Sequence, residues 1–302
     1  MNTHTRLSDE STENKIEKTV RSCYPIRLCR KWFKPKPVVG LIRLSGIISA
    51  PSGSGFGRQP LSLEGLNVNL NKIFKLKNLK AVALIINSPG GSPVQSELIF
   101  RRIRQLSSEK EVPVIAFVED VAASGGYWLA CAGDEIIALD TSIVGSIGVI
   151  YAGFGFQDFI KKWGIERRVY TQGKRKSILD PFQEVREDDI TSIMELSGDM
   201  HDSFKSMVCE RRQGKIKEED KDTLFSGLFW TAGRAIGLGL VDSIGDYHTV
   251  LRERYGKDIV FKQVTKSKGI LSKFLGAGKE EALVGTLLTS AEERIARAQF
   301  GL

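Results

Sequence analysis

Three times in the middle of this chain an apolar run ends in a turn, and twice that turn opens into a helix-forming stretch. Ala81-Val82-Ala83-Leu84-Ile85-Ile86 runs into Asn87-Ser88-Pro89-Gly90-Gly91-Ser92, and Val94 to Leu106 follows with helical spacing. Val112 to Val118 runs through a turn at Glu119–Ser124 into a short apolar helix, Gly125 to Ala132. Glu135 to Leu139 then enters a turn at Thr141–Gly148. A strand that is apolar on both faces must be covered on both faces, which is the condition inside a parallel sheet. Repeated strand–turn–helix units of this length predict an α/β fold with right-handed crossovers.

The flanking segments fit the same class. Val38 to Leu44 reads as a strand and residues 64–76 as a helix. Lys161 to Tyr170 reads as a helix end entering a strand at Arg167–Tyr170. Glu187 to Arg212 is a long helix whose apolar side would hold Ile190, Ile193, Met194, Leu196, Met200, Phe204, Met207 and Val208. Trp230 to Leu240 is a further helix, stopped by Gly239, and 280–299 an amphipathic one. With 302 residues and 41% hydrophobic content, the chain can build a sizeable core.

In a parallel sheet such turns gather at the carboxyl edge of the strands, where ligands bind. A turn that starts a helix also offers unpaired N–H groups and the positive end of the helix dipole. The turns at 87–92, 122–126 and 145–148 therefore suit the stabilisation of an oxyanion; the plain alternative is that their glycines serve the turns alone. A phosphate cradle would exploit the same feature, but neither the phosphate-loop nor the dinucleotide glycine motif stands in a strand–helix setting here.

Ser124 lies in Ala122-Ala123-Ser124-Gly125-Gly126-Tyr127-Trp128, among small residues that let another backbone approach. A serine hydroxyl is a poor nucleophile without a base. The chain has three histidines, His4 in the polar N-terminal stretch, His201 and His248. A lysine is the favoured base, and Gly173-Lys174-Arg175-Lys176-Ser177 offers Lys176. That role needs an uncharged amine, which burial and the neighbouring Lys174 and Arg175 would favour. The bland alternative for Lys176 is a solvated surface lysine.

The net charge of +8 is concentrated near the start of the chain. Lys15, Lys18, Arg21, Arg27, Arg30, Lys31, Lys34 and Lys36 interleave with Val20, Tyr24, Ile26, Leu28, Trp32 and Phe33. This pattern fits an arm resting on an anionic membrane surface and equally a solvated basic arm. No recognition helix or stacking motif accompanies it, so no nucleic-acid partner is expected. Cys23, Cys29, Cys131 and Cys209 show no paired metal spacing, so neither a metal site nor a disulfide framework is expected, and Cys131 reads as core. No apolar run has the length of a membrane span or the pattern of a secretory leader. A cytoplasmic or peripheral-membrane location is the expectation. The organisation expected is a basic arm over 1–37, a main domain over 38–255 and a C-terminal extension over 256–302.

Taken in order, Asn87-Ser88-Pro89-Gly90-Gly91, Ala123-Ser124-Gly125-Gly126-Tyr127-Trp128, Gly145-Ser146-Ile147-Gly148-Val149 and Gly173-x-x-Lys176-Ser177 resemble the motifs of the signal peptide peptidase A/SohB family of serine peptidases. The resemblance runs from about Val38 to Asp242. It implies a crotonase/Clp-protease-like spiral of repeated ββα units, here with an additional helical C-terminal part. It implies no cofactor and acyl transfer by a serine–lysine dyad on peptide or protein substrates. By the same resemblance Ser124 matches the nucleophile, Lys176 the general base and Ser146 a serine that orients the lysine. The N–H groups of Gly91 and Gly125 match the oxyanion hole.

The resemblance also implies a homo-oligomeric ring with sites completed by neighbouring subunits. Leu228 stands where the family has arginine and Ala232 where it has glycine, which bears on local helix-start geometry. Ile147, Val149 and Tyr127 near the motifs suggest a narrow apolar pocket for small or apolar side chains. Signal-peptide remnants and membrane-associated polypeptides would fit such a pocket. Two other readings share this fold. One is a crotonase-like acyl-CoA enzyme, with Glu119 or Asp120 near the second turn as base. The other is a non-catalytic scaffold.

Overall fold

The computed structural model describes residues 35–51, 60–264 and 294–301. The chain divides into two units, Met1–Lys36 and Pro37–Leu302, and the elements below belong to the second. The basic arm expected over 1–37 lies outside the described residues but for its last three positions. Of the helix expected over 280–299, only the end is described, and residues 294–298 are helical.

β1 (Val38–Ser45), β2 (Leu79–Ser88) and β3 (Val114–Ala123) run side by side in parallel. β2 shows why this sequence makes this sheet. Val82, Leu84 and Ile86 point into one core, with Leu70 and Ile73 of α1 (Leu63–Ile73) and Ile99 and Ile103 of α2 (Pro93–Lys110). Ala81, Ala83 and Ile85 point into a second core on the other face, with Leu251. Burying each large aliphatic side chain contributes about 1.5–3 kcal/mol, so a strand packed on both sides is fixed in register. α2 starts as its sequence dictates: the Ser92 hydroxyl accepts from the Gln95 N–H and Pro93 opens the first turn.

β3 is the branch point of the sheet. Ile115–Val118 pair with β4 (Glu135–Ala138), and Val121–Ala123 pair with β5 (Ile143–Gly145). α3 (Gly125–Ala130) follows β3 directly and every one of its residues is buried. Beyond β5 come α4 (Gln157–Lys162), α5 (Glu187–Arg211) and α6 (Lys221–Leu224). β6 (Phe229–Thr231) then pairs antiparallel with β5, and α7 (Ala232–Gly237) leads to β7 (Ser243–Ile244), parallel to β4. α8 (Tyr247–Tyr255) supplies Leu251 to the second core, and β8 (Val260–Gln263) joins β1 in parallel. The eight-stranded sheet has the α/β character expected from the repeated units, and it extends past residue 255.

Four local expectations change. Glu119 to Ser124 is not a turn: β3 continues to Ala123, while Glu119 pairs with Arg43 and Asp120 accepts from the Asn87 amide. The turn expected over 141–148 contains β5. Trp230 belongs to β6 because its backbone pairs with Val144, so the helix expected from Trp230 begins at Ala232 and ends at Gly237. Arg167–Tyr170 form no strand; Arg167 instead pairs with Asp180.

Candidate active site

Ser124 is the pivot between β3 and α3. Its backbone holds φ +51° and ψ −123°, a conformation that costs a residue other than glycine about 1–3 kcal/mol. The surroundings impose it. The Ser124 N–H donates to the Gly145 carbonyl at 2.8 Å, tying the end of β3 to β5. Behind it, α3 is clamped into the core, with the Tyr127 hydroxyl donating to the Leu240 carbonyl at 2.9 Å. Burial raises the Tyr127 pKa well above its ordinary value, so this hydroxyl stays a donor. The result is a sharp strand-to-helix turn that leaves the Ser124 side chain half-buried at the sheet's edge.

Gly90 and Gly91 form the opposite rim. They take φ +106° and +137°, which L side chains rarely adopt. Ile48 locks them: its N–H donates to the Gly90 carbonyl at 2.8 Å, and its carbonyl accepts from the Ser92 N–H at 2.7 Å. A Cβ on Gly91 would fall 2.1 Å from the Ile48 carbonyl oxygen, and one on Gly90 2.8 Å from that of Ala123. The Gly91 and Gly125 N–H groups donate to no acceptor among the described residues. They are neighbours, since a Cβ on Gly125 would lie 3.4 Å from the Gly91 nitrogen. Two free, convergent amides beside a strained serine are the arrangement that stabilises a developing oxyanion.

Ser146 forms a third rim. Gly145 and Ser146 take consecutive positive φ values of +109° and +52°, and the Ser146 N–H donates to the Leu228 carbonyl at 2.7 Å. Position 228 contributes its backbone here, so this contact does not depend on its side chain. A cavity of about 540 Å³ joins these parts, lined among others by Ser124, Ser146, Gly91, Val149, Ile150 and His201. Ala296 and Gln299 also line it. Ile147 and Tyr127, expected as pocket walls, are instead fully buried behind it.

Lys176 is placed differently from the rest. It lies in the turns between Gly173 and Leu179, where its N–H donates to the Gly173 carbonyl at 3.1 Å, and it is exposed. It does not line the cavity, and its ammonium makes no hydrogen bond or ion pair among the described residues. Among the described residues of one chain, the buried amine expected from the sequence is therefore not formed. The reason is physical: the segment from 150 to 186 turns its apolar side chains outward rather than onto the core. Phe154 and Tyr170 are 81% and 91% exposed. Glu119 and Asp120, the carboxylates an acyl-CoA enzyme would need, are engaged with Arg43 and Asn87 and line no part of the cavity.

His201 is the cavity residue that sequence reasoning set aside. Its Nε2 lies 3.2 Å from the Ile147 carbonyl oxygen, and its contact partner is 54 positions earlier in the chain, so no local motif could have announced it. Among the described residues no group of three His, Cys, Asp or Glu could hold a metal ion, and no helix is long and apolar enough to cross a membrane.

The sequence profile of peptidase family S49 matches residues 107–258, half of the chain, and this span contains Ser124, Ser146 and Lys176. The chain belongs to peptidase family S49. Among its relatives, the Na(+)/H(+) antiporter NhaA of Brucella abortus (strain 2308) is 47% identical over 284 residues, covering 90% of this S49 chain and 38% of the relative. The chloroplastic serine protease SPPA of Arabidopsis thaliana is 30% identical over 215 residues, covering 68% of this chain and 30% of that one. The chain thus spans well under half the length of these two relatives. A solved structure of the 1510-N membrane-bound stomatin-specific protease, a mutant in complex with a substrate peptide, aligns over 83% of this chain and 99% of its own with 15% identity and a TM-score of 0.49.

Proposed function

We propose that this S49 member is a serine endopeptidase that cleaves peptide bonds through Ser124, with Lys176 of a neighbouring copy as its base. The observation that carries the reading is Ser124 held at φ +51° beside the two unpaired amides of Gly91 and Gly125. Ser124 attacks the scissile carbonyl, and the carbonyl oxygen becomes an oxyanion held by these amides. Lys176 takes the hydroxyl proton and returns it to the leaving amine; water then releases the acyl group by the same route. Ser146 orients the amine at the cavity rim.

The stretch of chain that holds Lys176 supports its arrival from a second copy. Ile150, Phe154, Trp163 and Tyr170 are all more than half exposed there, as are Val185 and Met194 further along. So many exposed large apolar side chains in one stretch of chain are what an interaction surface would use. Docking a neighbour against it would desolvate Lys176, and burial is what favours the neutral amine. A closed ring is the arrangement in which every copy both gives and receives this contact. Val149 and Ile150 on the cavity wall favour small or apolar substrate side chains, such as those of signal-peptide remnants or membrane-associated polypeptides.

The test is hydrolysis of an apolar reporter peptide by purified wild type, Ser124→Ala and Lys176→Ala. Both variants are expected to lose at least about a thousandfold in kcat. Hydrolysis near the wild-type rate in either would overturn the proposal.

A further inference from the structure

We propose that His201 is a positioning residue of the catalytic centre, holding the Ile147 carbonyl and through it the turn that carries Ser146. This rests on the peptidase reading above and adds to it a component outside the serine, the lysine and the oxyanion amides. Among the residues of α5, His201 alone lines the cavity that contains Ser124 and Ser146. Its Nε2 lies 3.2 Å from the Ile147 carbonyl oxygen. A carbonyl oxygen only accepts, so Nε2 carries the proton in this contact. The nitrogen that meets the turn is thus a donor and has no lone pair to offer as a base.

The turn needs such a tether. Gly145 and Ser146 occupy the left-handed region in succession, and strain of this kind persists only where the surroundings fix it. On the N-terminal side the fixings are plain. The Gly145 carbonyl accepts from the Ser124 N–H, and the Ser146 N–H donates to the Leu228 carbonyl. On the C-terminal side the strand has ended, and no regular element follows until α4 at Gln157. There the chain is held by the fully buried Ile147 side chain and by His201 on the Ile147 carbonyl. His201 therefore sets the direction in which Ser146 leaves its strained position, and with it the place where a lysine amine can be received.

His201 also borders a second cavity with Lys205, Glu218, Lys221 and Asp222. Lys205 pairs with Asp202 and Lys221 with Glu218. The contact asks only for an N–H at the Nε2 position. A positioning role then predicts that another side chain carrying an N–H at the same place will serve.

The experiment compares hydrolysis of an apolar reporter peptide by wild type, His201→Ala and His201→Gln, and repeats His201→Ala in a Ser146→Ala background. His201→Ala should lower kcat about tenfold or more with KM changed less than about twofold, as misplacement of a catalytic group does. His201→Gln, whose amide nitrogen stands where Nε2 stood, should regain most of kcat with the wild-type pH profile. In the Ser146→Ala background the further loss from His201→Ala should be under about twofold, because the two side chains act along one route. Three results would each overturn the proposal: a wild-type kcat in His201→Ala, a His201→Gln variant as impaired as alanine, or an undiminished loss in the Ser146→Ala background. Failure of the peptidase reading looks different, since wild type itself would then not hydrolyse the peptide or Ser124→Ala would match it.

Discussion

Ser124 was readable because its flanks are local. Ala122, Ala123, Gly125 and Gly126 announce a tight turn, and the apolar residues on both sides announce a buried strand and a buried helix. The positive φ follows from that packing, and it makes the position a natural one for glycine. Ser124→Gly should therefore be more stable than Ser124→Ala by about 1 kcal/mol, since both lack the hydroxyl but only alanine keeps the strain. Denaturant unfolding of the two variants checks this, and equal stabilities would mean the turn is not strained. Lys176 was only half readable. Its motif is local, but whether an amine is buried depends on what covers it, and among the described residues of one chain nothing does. His201 was not readable, because its meaning comes from a carbonyl brought to it by the sheet. Cys131 is core, as its apolar setting implies: burial drives its thiol up to about 12, which removes it from nucleophilic chemistry.

Strands that are apolar throughout were legible, and strands made by pairing were not. β2 and the first half of β3 announce themselves by composition. β5 and β6 are three residues each and exist because Ile143–Gly145 found partners in Phe229–Thr231 some 85 positions later. The continuation of β3 through Glu119 and Asp120 was hidden because polar side chains usually signal a turn. Here they stay in the strand and find Arg43 and Asn87. The link between β2 and α2 carries the sharpest constraint. Gly91→Ala would put a methyl group on the Ile48 carbonyl oxygen, so the Gly91 amide must move. That change should lower kcat by about a hundredfold or more, comparable to loss of an oxyanion donor, with a smaller effect on KM. Steady-state kinetics on the folded variant checks it, and an unchanged kcat would remove Gly91 from the site.

The described fold buries its cores and its buried ion pairs well, yet leaves an apolar surface uncovered. Arg212 lies in the interior with both Asp242 oxygens on its guanidinium, and Asp242 also receives Lys215 and the Ile136 N–H. Burial alone would raise the Asp242 pKa, but these donors hold it below the ordinary carboxylate range. Against that finished interior, α5 stands out. Phe204, Met207 and Val208 at its end are buried as its periodicity predicts, while Ile190, Met194 and Leu196 on the same apolar side face outward. The periodicity recorded an apolar face correctly, but no sequence pattern says whether such a face meets the same chain or another copy. In the proposed mechanism this face meets a neighbour that brings Lys176 to Ser124. Co-expressing Ser124→Ala and Lys176→Ala chains with different tags, and purifying assemblies through both tags, tests that assignment most directly. Each variant alone should be inactive, and the mixed assembly should regain about a quarter of wild-type activity, because random placement pairs an intact serine with an intact lysine in one contact of four. Mixed assemblies as inactive as the separate variants would contradict it.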